Sequence, residues 1–279
     1  MRMVNANEIY EKVKELIEYV NFNVRDDVLL EWKRKRNEEE NINAKIVLDI
    51  LIENSQIAKE KKIPICQDCG MVLIFIEKGE DVCIEGPIMD YLNKAVREVY
   101  LNNYLRPSVV KDPIIRENTF DNTPPIVHWD YIPGDNLKIS VMIKGFGSEN
   151  ASMVKMLLPT TSEEEIINIV VEHVKNYGPN ACPPLIIGVG LGGTMEKAVY
   201  LSKKAIMRPL FKRNDKEHLR RLEEEILRRV NDLNIGPGGF GGKLTALDVF
   251  VESFPTHIAG LPLAVTLQCS AVRWGEIVI

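Results

Sequence analysis

The sequence lacks most features that would mark a membrane, secreted or nucleic-acid-binding protein. No apolar run approaches the roughly 18 residues of a membrane span, and the start, MRMVNANEIYEKVKEL, has no apolar signal-peptide core. The expectation is a cytoplasmic chain with no membrane partner. A basic excess is also missing: the formal charge is −5 over 279 residues, and neither half is enriched in Lys and Arg, which argues against nucleic acid as a partner. The five cysteines, at positions 66, 69, 83, 182 and 269, are odd in number and scattered. That excludes a closed disulfide framework and leaves free thiols or metal ligands. No His-x3-5-His pair accompanies them, and there is no internal repeat or low-complexity segment.

What is present is ordinary globular material, 45% apolar, enough for one large core or two smaller ones. Residues 7 to 60 read as helices, because Ile9, Val13, Ile17 and Val20 recur at three- and four-residue spacing between charges. MVLIFIEKG reads as a buried strand, GPIMDYLNKAVREVYLNNYL as a helix ending before Pro107, and LKISVMIKGFG as a strand. SEEEIINIVVEHVKNY has an acidic first turn and helical period; ACPPLIIGVGLGGTMEKAVYLSKKA reads as strand, glycine turn and helix. A charged amphipathic helix over 213–233, a glycine loop and a final strand-like segment through Gln268 complete the chain. The expected fold is α/β, a single domain over 1–279 with mixed, largely antiparallel strands and a helical portion over about 1–60, divisible into two subdomains.

Two glycine loops invite nucleotide readings, and both fail. Gly188-x-Gly190-x-x-Gly193 has the local context of a dinucleotide fingerprint, yet no second strand ending in an acidic residue follows about 20 positions on; FKRNDKEHLRRLEEE there is helical. GPGGFGGKL has Pro237 where a phosphate loop needs its first glycine and Leu244 where Ser or Thr would hold magnesium. Backbone N–H groups in such loops can still hold carboxylates. Cys66-x-x-Cys69 is a single close pair, where structural zinc takes four ligands. It precedes a strand rather than a redox helix. Single cysteines on separated loops suit an iron-sulfur cluster with one iron free of protein sulfur, although a buried structural role is the commoner fate of any one cysteine.

CQDCG, IKGFGSEN, ACPPLIIGVGLGGT, GPGGFGGK and FPTHIAGLPLAVTLQCSAVRWG, in this order and spacing, resemble the class I fumarate hydratases and the related L(+)-tartrate dehydratases, specifically their alpha subunit or the N-terminal half of single-chain forms. The resemblance implies a [4Fe-4S] cluster held by Cys66, Cys182 and Cys269, with the fourth iron open to substrate. Cys69 stands where the family commonly has threonine, so Cys69 and Cys83 are expected to be packing residues. Gln67, Asp68, Arg106 and Gly147 fall on substrate-binding positions, and Asp68 and His257 on candidate proton carriers with roles unassigned between acid and orienter. Lys243 and Arg273 are expected to be solvated or structural. Hydration of a double bond conjugated to carboxylates passes through a carbanion-like transition state, which requires fixed positive charge and acid–base groups.

The implied activity is reversible hydration of fumarate to (S)-malate, with L(+)-tartrate dehydration as the alternative. Single-chain relatives continue into a second domain, so a separate beta subunit is expected, in an assembly of two alpha and two beta subunits acting on a small dicarboxylate. The reading of another class is a non-enzymatic, structural zinc protein.

Overall fold

The computed structural model describes residues 1–279 and divides into two compact units. The first comprises 1–24, 54–146 and 273–279; the second comprises 25–53 and 147–272.

Strand β1 (Arg2–Asn5) leads into helix α1 (Ala6–Phe22), which starts where the Asn5 side chain accepts the Asn7 N–H at 2.8 Å, an N-cap that satisfies one of the orphan donors of the first turn. α1 buries Ile9, Tyr10, Val13, Ile17 and Val20, the stripe its sequence period requires. Helices α2 (Asp26–Glu38) and α3 (Ile42–Lys61) follow, so the early part of the chain is helical as its periodicity predicts, apart from the short β1.

In the first unit, β2 (Met71–Gly79) is buried along nearly all its length, as the run VLIFI demands. It lies inside a sheet of order β10-β5-β2-β4, where β4 is Ile126–Ile132, β5 is Leu137–Lys144 and β10 is Trp274–Val278. β2 pairs antiparallel with β5 and parallel with β4, and β5 pairs antiparallel with β10. β1 pairs parallel with β3 (Val82–Glu85). Helix α4 (Ile88–Asn102) buries Leu92, Ala95, Val96, Val99 and Tyr100, which join the α1 stripe and the inner faces of β2 and β5 in one core.

Past the short helix α5 (Phe146–Asn150), the second unit is built on a sheet of order β6-β9-β7-β8, from β6 (Met153–Leu157), β7 (Leu185–Gly192), β8 (Ala246–Phe254) and β9 (Leu261–Gln268). β7 runs parallel to β8 and antiparallel to β9. Helix α6 (Glu163–Tyr177) opens with a capping box between Ser162 and Glu165. It packs with α8 (Glu217–Asp232) on the sheet face that carries Leu185, Ile187, Val189 and Leu191.

Helix α7 (Met195–Ala205) covers the opposite face of β7. Gly188 and Gly190 point at α7, where a Cβ would overlap the carbonyl oxygens of Ser202 and Ala198 respectively. The first two glycines of the apparent dinucleotide fingerprint therefore lie inside a strand and let a helix approach it closely. They do not form a turn around a phosphate.

The sheets are mixed, with both parallel and antiparallel pairs, as the α/β expectation has it. The short strands β1, β3, β6 and β10 were not legible in the sequence.

Candidate active site

In the first unit the loop 65–70 joins α3 to β2. Its start is pinned where the Ile65 N–H donates to the Asn21 carbonyl at 3.0 Å and the Asn54 side-chain amide donates to the Ile65 carbonyl at 2.9 Å. Asp68 organises the rest. Its Oδ1 accepts the Gly70 N–H at 2.9 Å and its Oδ2 accepts the Phe146 N–H at 2.7 Å, so one carboxylate ties this loop to the end of β5. Gly70 has φ +63°, and a Cβ there would press on the Lys144 carbonyl, so the close approach of the two segments requires glycine.

The two cysteines of this loop have different fates. Cys69 is 1% exposed; its Sγ accepts the Arg106 N–H at 3.2 Å and its carbonyl accepts the Tyr100 hydroxyl at 2.6 Å. Burial pushes the Cys69 thiol up, outweighing the Arg106 N–H that pulls it down, which disfavours the thiolate a metal needs. Cys66 is partly exposed, with its Sγ 3.5 Å from Gln67 Oε1. Gln67 is exposed, as is the Arg106 side chain. Asn122, fully buried, donates from Nδ2 to the Gly70 carbonyl at 3.1 Å and accepts the Ser108 N–H at 2.7 Å. It thereby holds the segment after Arg106 against the Cys66 loop.

In the second unit, Cys182 precedes β7 and Cys269 follows β9. Because those strands are antiparallel, with Ile186 opposite Gln268, both cysteines fall at the same end of the sheet. The Ser270 N–H donates to the Cys182 carbonyl at 3.0 Å, and the turn after Cys269 closes through Val272 N–H to the Cys269 carbonyl at 3.3 Å. Cys182 is exposed, in a left-handed conformation with φ 57°, and Cys269 is partly exposed. Gly147 lies beside the same loop: a Cβ on it would be 3.8 Å from the Asn180 carbonyl oxygen.

His257 is not brought to these cysteines. It follows β8, and the Thr256 hydroxyl donates to the Gly193 carbonyl at 3.1 Å, which places it at the far end of β7. The eight residues of β9 separate the two ends by roughly 23 Å at the usual rise per residue. Its Nδ1 accepts the Ala259 N–H at 3.1 Å.

The glycine loop after α8 has its donors engaged. Gly238 N–H bonds the Pro183 carbonyl at 2.8 Å, Gly241 N–H the Ile235 carbonyl at 2.8 Å, and Lys243 N–H the Glu39 Oε2 at 2.9 Å. The loop is a structural clasp rather than an anion cradle. Lys243 Nζ pairs with Glu40 at 3.2 Å, in keeping with a solvated role. Arg273 differs: it is 1% exposed.

Sequence reasoning missed Asn122, Tyr100 and Glu39, whose roles are hydrogen bonds to backbone far away in sequence. Pro-Asn-Asp density over 106–136 was the only available signal for Asn122. No three His, Cys, Asp or Glu side chains gather closely enough to hold a single metal ion, and no helix is long and apolar enough to cross a membrane.

Accessible thiols on loops at strand ends, together with a backbone-clamped aspartate and an exposed arginine, mark an α/β protein that works through its loops. The model of the fumarate hydratase (Fumerase) family matches residues 10–278, and the chain belongs to that family. It is 35% identical over 275 residues to a Methanocaldococcus jannaschii protein provisionally named as the alpha subunit of L(+)-tartrate dehydratase, covering 96% of this chain and 95% of that one. It is 32% identical over 279 residues to the L(+)-tartrate dehydratase subunit alpha of Escherichia coli K12, and equally to that of Shigella boydii, covering 98% of this chain and 91% of each relative.

Proposed function

We propose that this chain is the alpha subunit of a hydro-lyase for a four-carbon dicarboxylate and that Cys66, Cys182 and Cys269 hold a [4Fe-4S] cluster. The observation that carries the reading is the family match along nearly the whole chain, together with the hydrogen-bonded pairing of the Cys182 and Cys269 turns. The donor set fits. Cys66, Cys182 and Cys269 are at least partly exposed, whereas Cys69 is sealed and already accepts a hydrogen bond. A cuboidal cluster also holds its sulfurs farther apart than one ion would, so a tight three-ligand knot is not required. When bound, the cluster supplies a Lewis-acidic iron without a protein sulfur, able to polarise a substrate hydroxyl.

The chain's own residues supply the rest. Arg106 presents a planar two-pronged donor suited to a carboxylate, on a backbone fixed by its N–H to Cys69. Gln67 offers an amide beside Cys66. Gly147 lets the backbone approach substrate without a side chain. Asp68, locked by two N–H donors, retains lone pairs with which to accept a proton. Within this chain β9 carries His257 to the other end of the sheet from Cys182 and Cys269, so a role as proton carrier there would be exercised toward another chain of the assembly.

Fumarate, hydrated reversibly to (S)-malate, is the substrate that the family description supports; L(+)-tartrate is supported by the relatives' names. Those relatives are named as alpha subunits, which supports a beta subunit as partner; an assembly of two alpha and two beta chains in the cytoplasm is the arrangement proposed. The test is anaerobic co-expression with the partner, metal and sulfide analysis, and turnover of fumarate, (S)-malate and L(+)-tartrate. Iron with sulfide and turnover of one substrate pair are expected. Stoichiometric zinc without turnover would make the chain a structural metal protein instead.

A further inference from the structure

Resting on the reading that the Cys66 loop carries an anionic cluster, we propose that Arg273 is the fixed counter-charge of that loop. It is a positioning residue whose guanidinium makes no hydrogen bond within the chain and is offered to the anionic group.

Arg273 is among the largest fully buried side chains, 1% exposed, and its Nε, Nη1 and Nη2 are all buried with no hydrogen-bond partner. A guanidinium does not escape this cost by losing its proton, and a buried, unmatched charge is one of the most unfavourable things a folded chain can contain.

Its location shows what it serves. Arg273 Nη2 and Asp68 Oδ2 both crowd Gly145, where a Cβ would meet them at 3.3 and 3.1 Å. Asp68 makes no hydrogen bond to the arginine; its two oxygens accept the Gly70 and Phe146 N–H groups instead. The positive field also reaches Cys69 and Tyr100, where it opposes the upward push of burial on each. The charge therefore stands behind the loop that begins at Cys66, and the chain runs from Cys269 to Arg273 through a single turn.

A cluster core held by three thiolates is anionic overall, and more so with a dicarboxylate bound, so it would complete this unbalanced arrangement. The cost borne by the empty protein becomes attraction in the loaded one, since any group that binds only the folded state stabilises it. Such an arginine is kept for function against stability.

The test compares Arg273→Met, close in shape but uncharged, with Arg273→Lys, which keeps the charge, in the full chain with its partner subunit. For cluster-free protein, R273M is expected to melt at a higher temperature than wild type. For reconstituted protein under anaerobic conditions, R273M should lose iron and sulfide about tenfold faster and show a more negative cluster reduction potential by EPR-monitored titration, because adding an electron becomes harder when a nearby positive charge is gone. R273K should stay near the wild-type potential. An R273M chain that melts lower or fails to fold without cluster marks Arg273 as a structural residue and overturns the inference, as does an unchanged potential with unchanged retention. Wild-type protein that binds no iron and sulfide would instead overturn the functional reading itself.

Discussion

Ser270 donates its backbone N–H to the carbonyl of Cys182 at 3.0 Å, joining the turn after β9 to the loop before β7. The bond is made by backbone, so it persists whatever side chain stands at 182 or 269. Cys182→Ser and Cys269→Ser should therefore fold normally and lose iron and nearly all activity, as should Cys66→Ser. Cys69→Ala should do the reverse, retaining iron and losing about 1–2 kcal/mol of stability, because the partly buried Arg106 N–H loses its acceptor. Iron content and urea unfolding, measured on the same preparations, separate the two classes.

Asp68→Asn tests the clamp. An amide has one acceptor oxygen, and its NH2 would face one of the two N–H groups that Asp68 now satisfies. A stability loss of about 1–3 kcal/mol is expected, with turnover falling at least ~100-fold if Asp68 carries a proton. Turnover that survives while stability drops would restrict Asp68 to holding the loop.

Gly190→Ala should be severely destabilising, by about 3 kcal/mol or more, because the added methyl overlaps the Ala198 carbonyl of a packed helix. Gly134→Ala is the control. It has φ +90° and nothing within 4 Å of its Cβ direction, so only backbone strain of about 1 kcal/mol applies. Thermal melts of the two variants give the ranking. Titration of the wild type with NAD(H) should show no saturable binding, because this glycine pattern is occupied by packing.

Glu39 makes stability depend on pH. Burial alone would raise its pKa, but the N–H groups of Asn41, Lys243 and Glu40 outweigh burial and hold it below the ordinary carboxylate value. A folded-state pKa lower than the unfolded one contributes stability that is present above the unfolded value and is lost as pH falls through the folded one. The stability difference between wild type and Glu39→Gln should thus be largest near neutral pH and shrink in acid. Urea unfolding at neutral and acid pH measures it.

Helix periodicity and the buried runs of β2 and β7 were legible in the sequence because they record burial directly. The glycine loops were legible as glycine and illegible as to purpose: only the placement of α7 shows that Gly188 and Gly190 are contacts. Nearness along the chain did not mean nearness in space for His257 and Cys269. The dozen residues from it to Cys269 include a strand that crosses the sheet, so neighbours in sequence are at opposite ends in space. Position was a better guide for Cys66 and Cys69, since a two-residue spacer in a tight loop turns one sulfur inward. Arg273 was illegible because nothing local distinguishes a buried guanidinium from a solvated one.

The two glycines of β7 set a dimension. With no side-chain atom on that face at 188 and 190, α7 rides directly on the strand backbone, and the thickness of the layer is the minimum that two main chains permit. A substitution there would lift the helix and shift the ends of β7 with it. The loop bearing Cys182 is thus gauged by a contact between main chains, and the turn proposed to bind metal inherits its tolerance from packing several residues away.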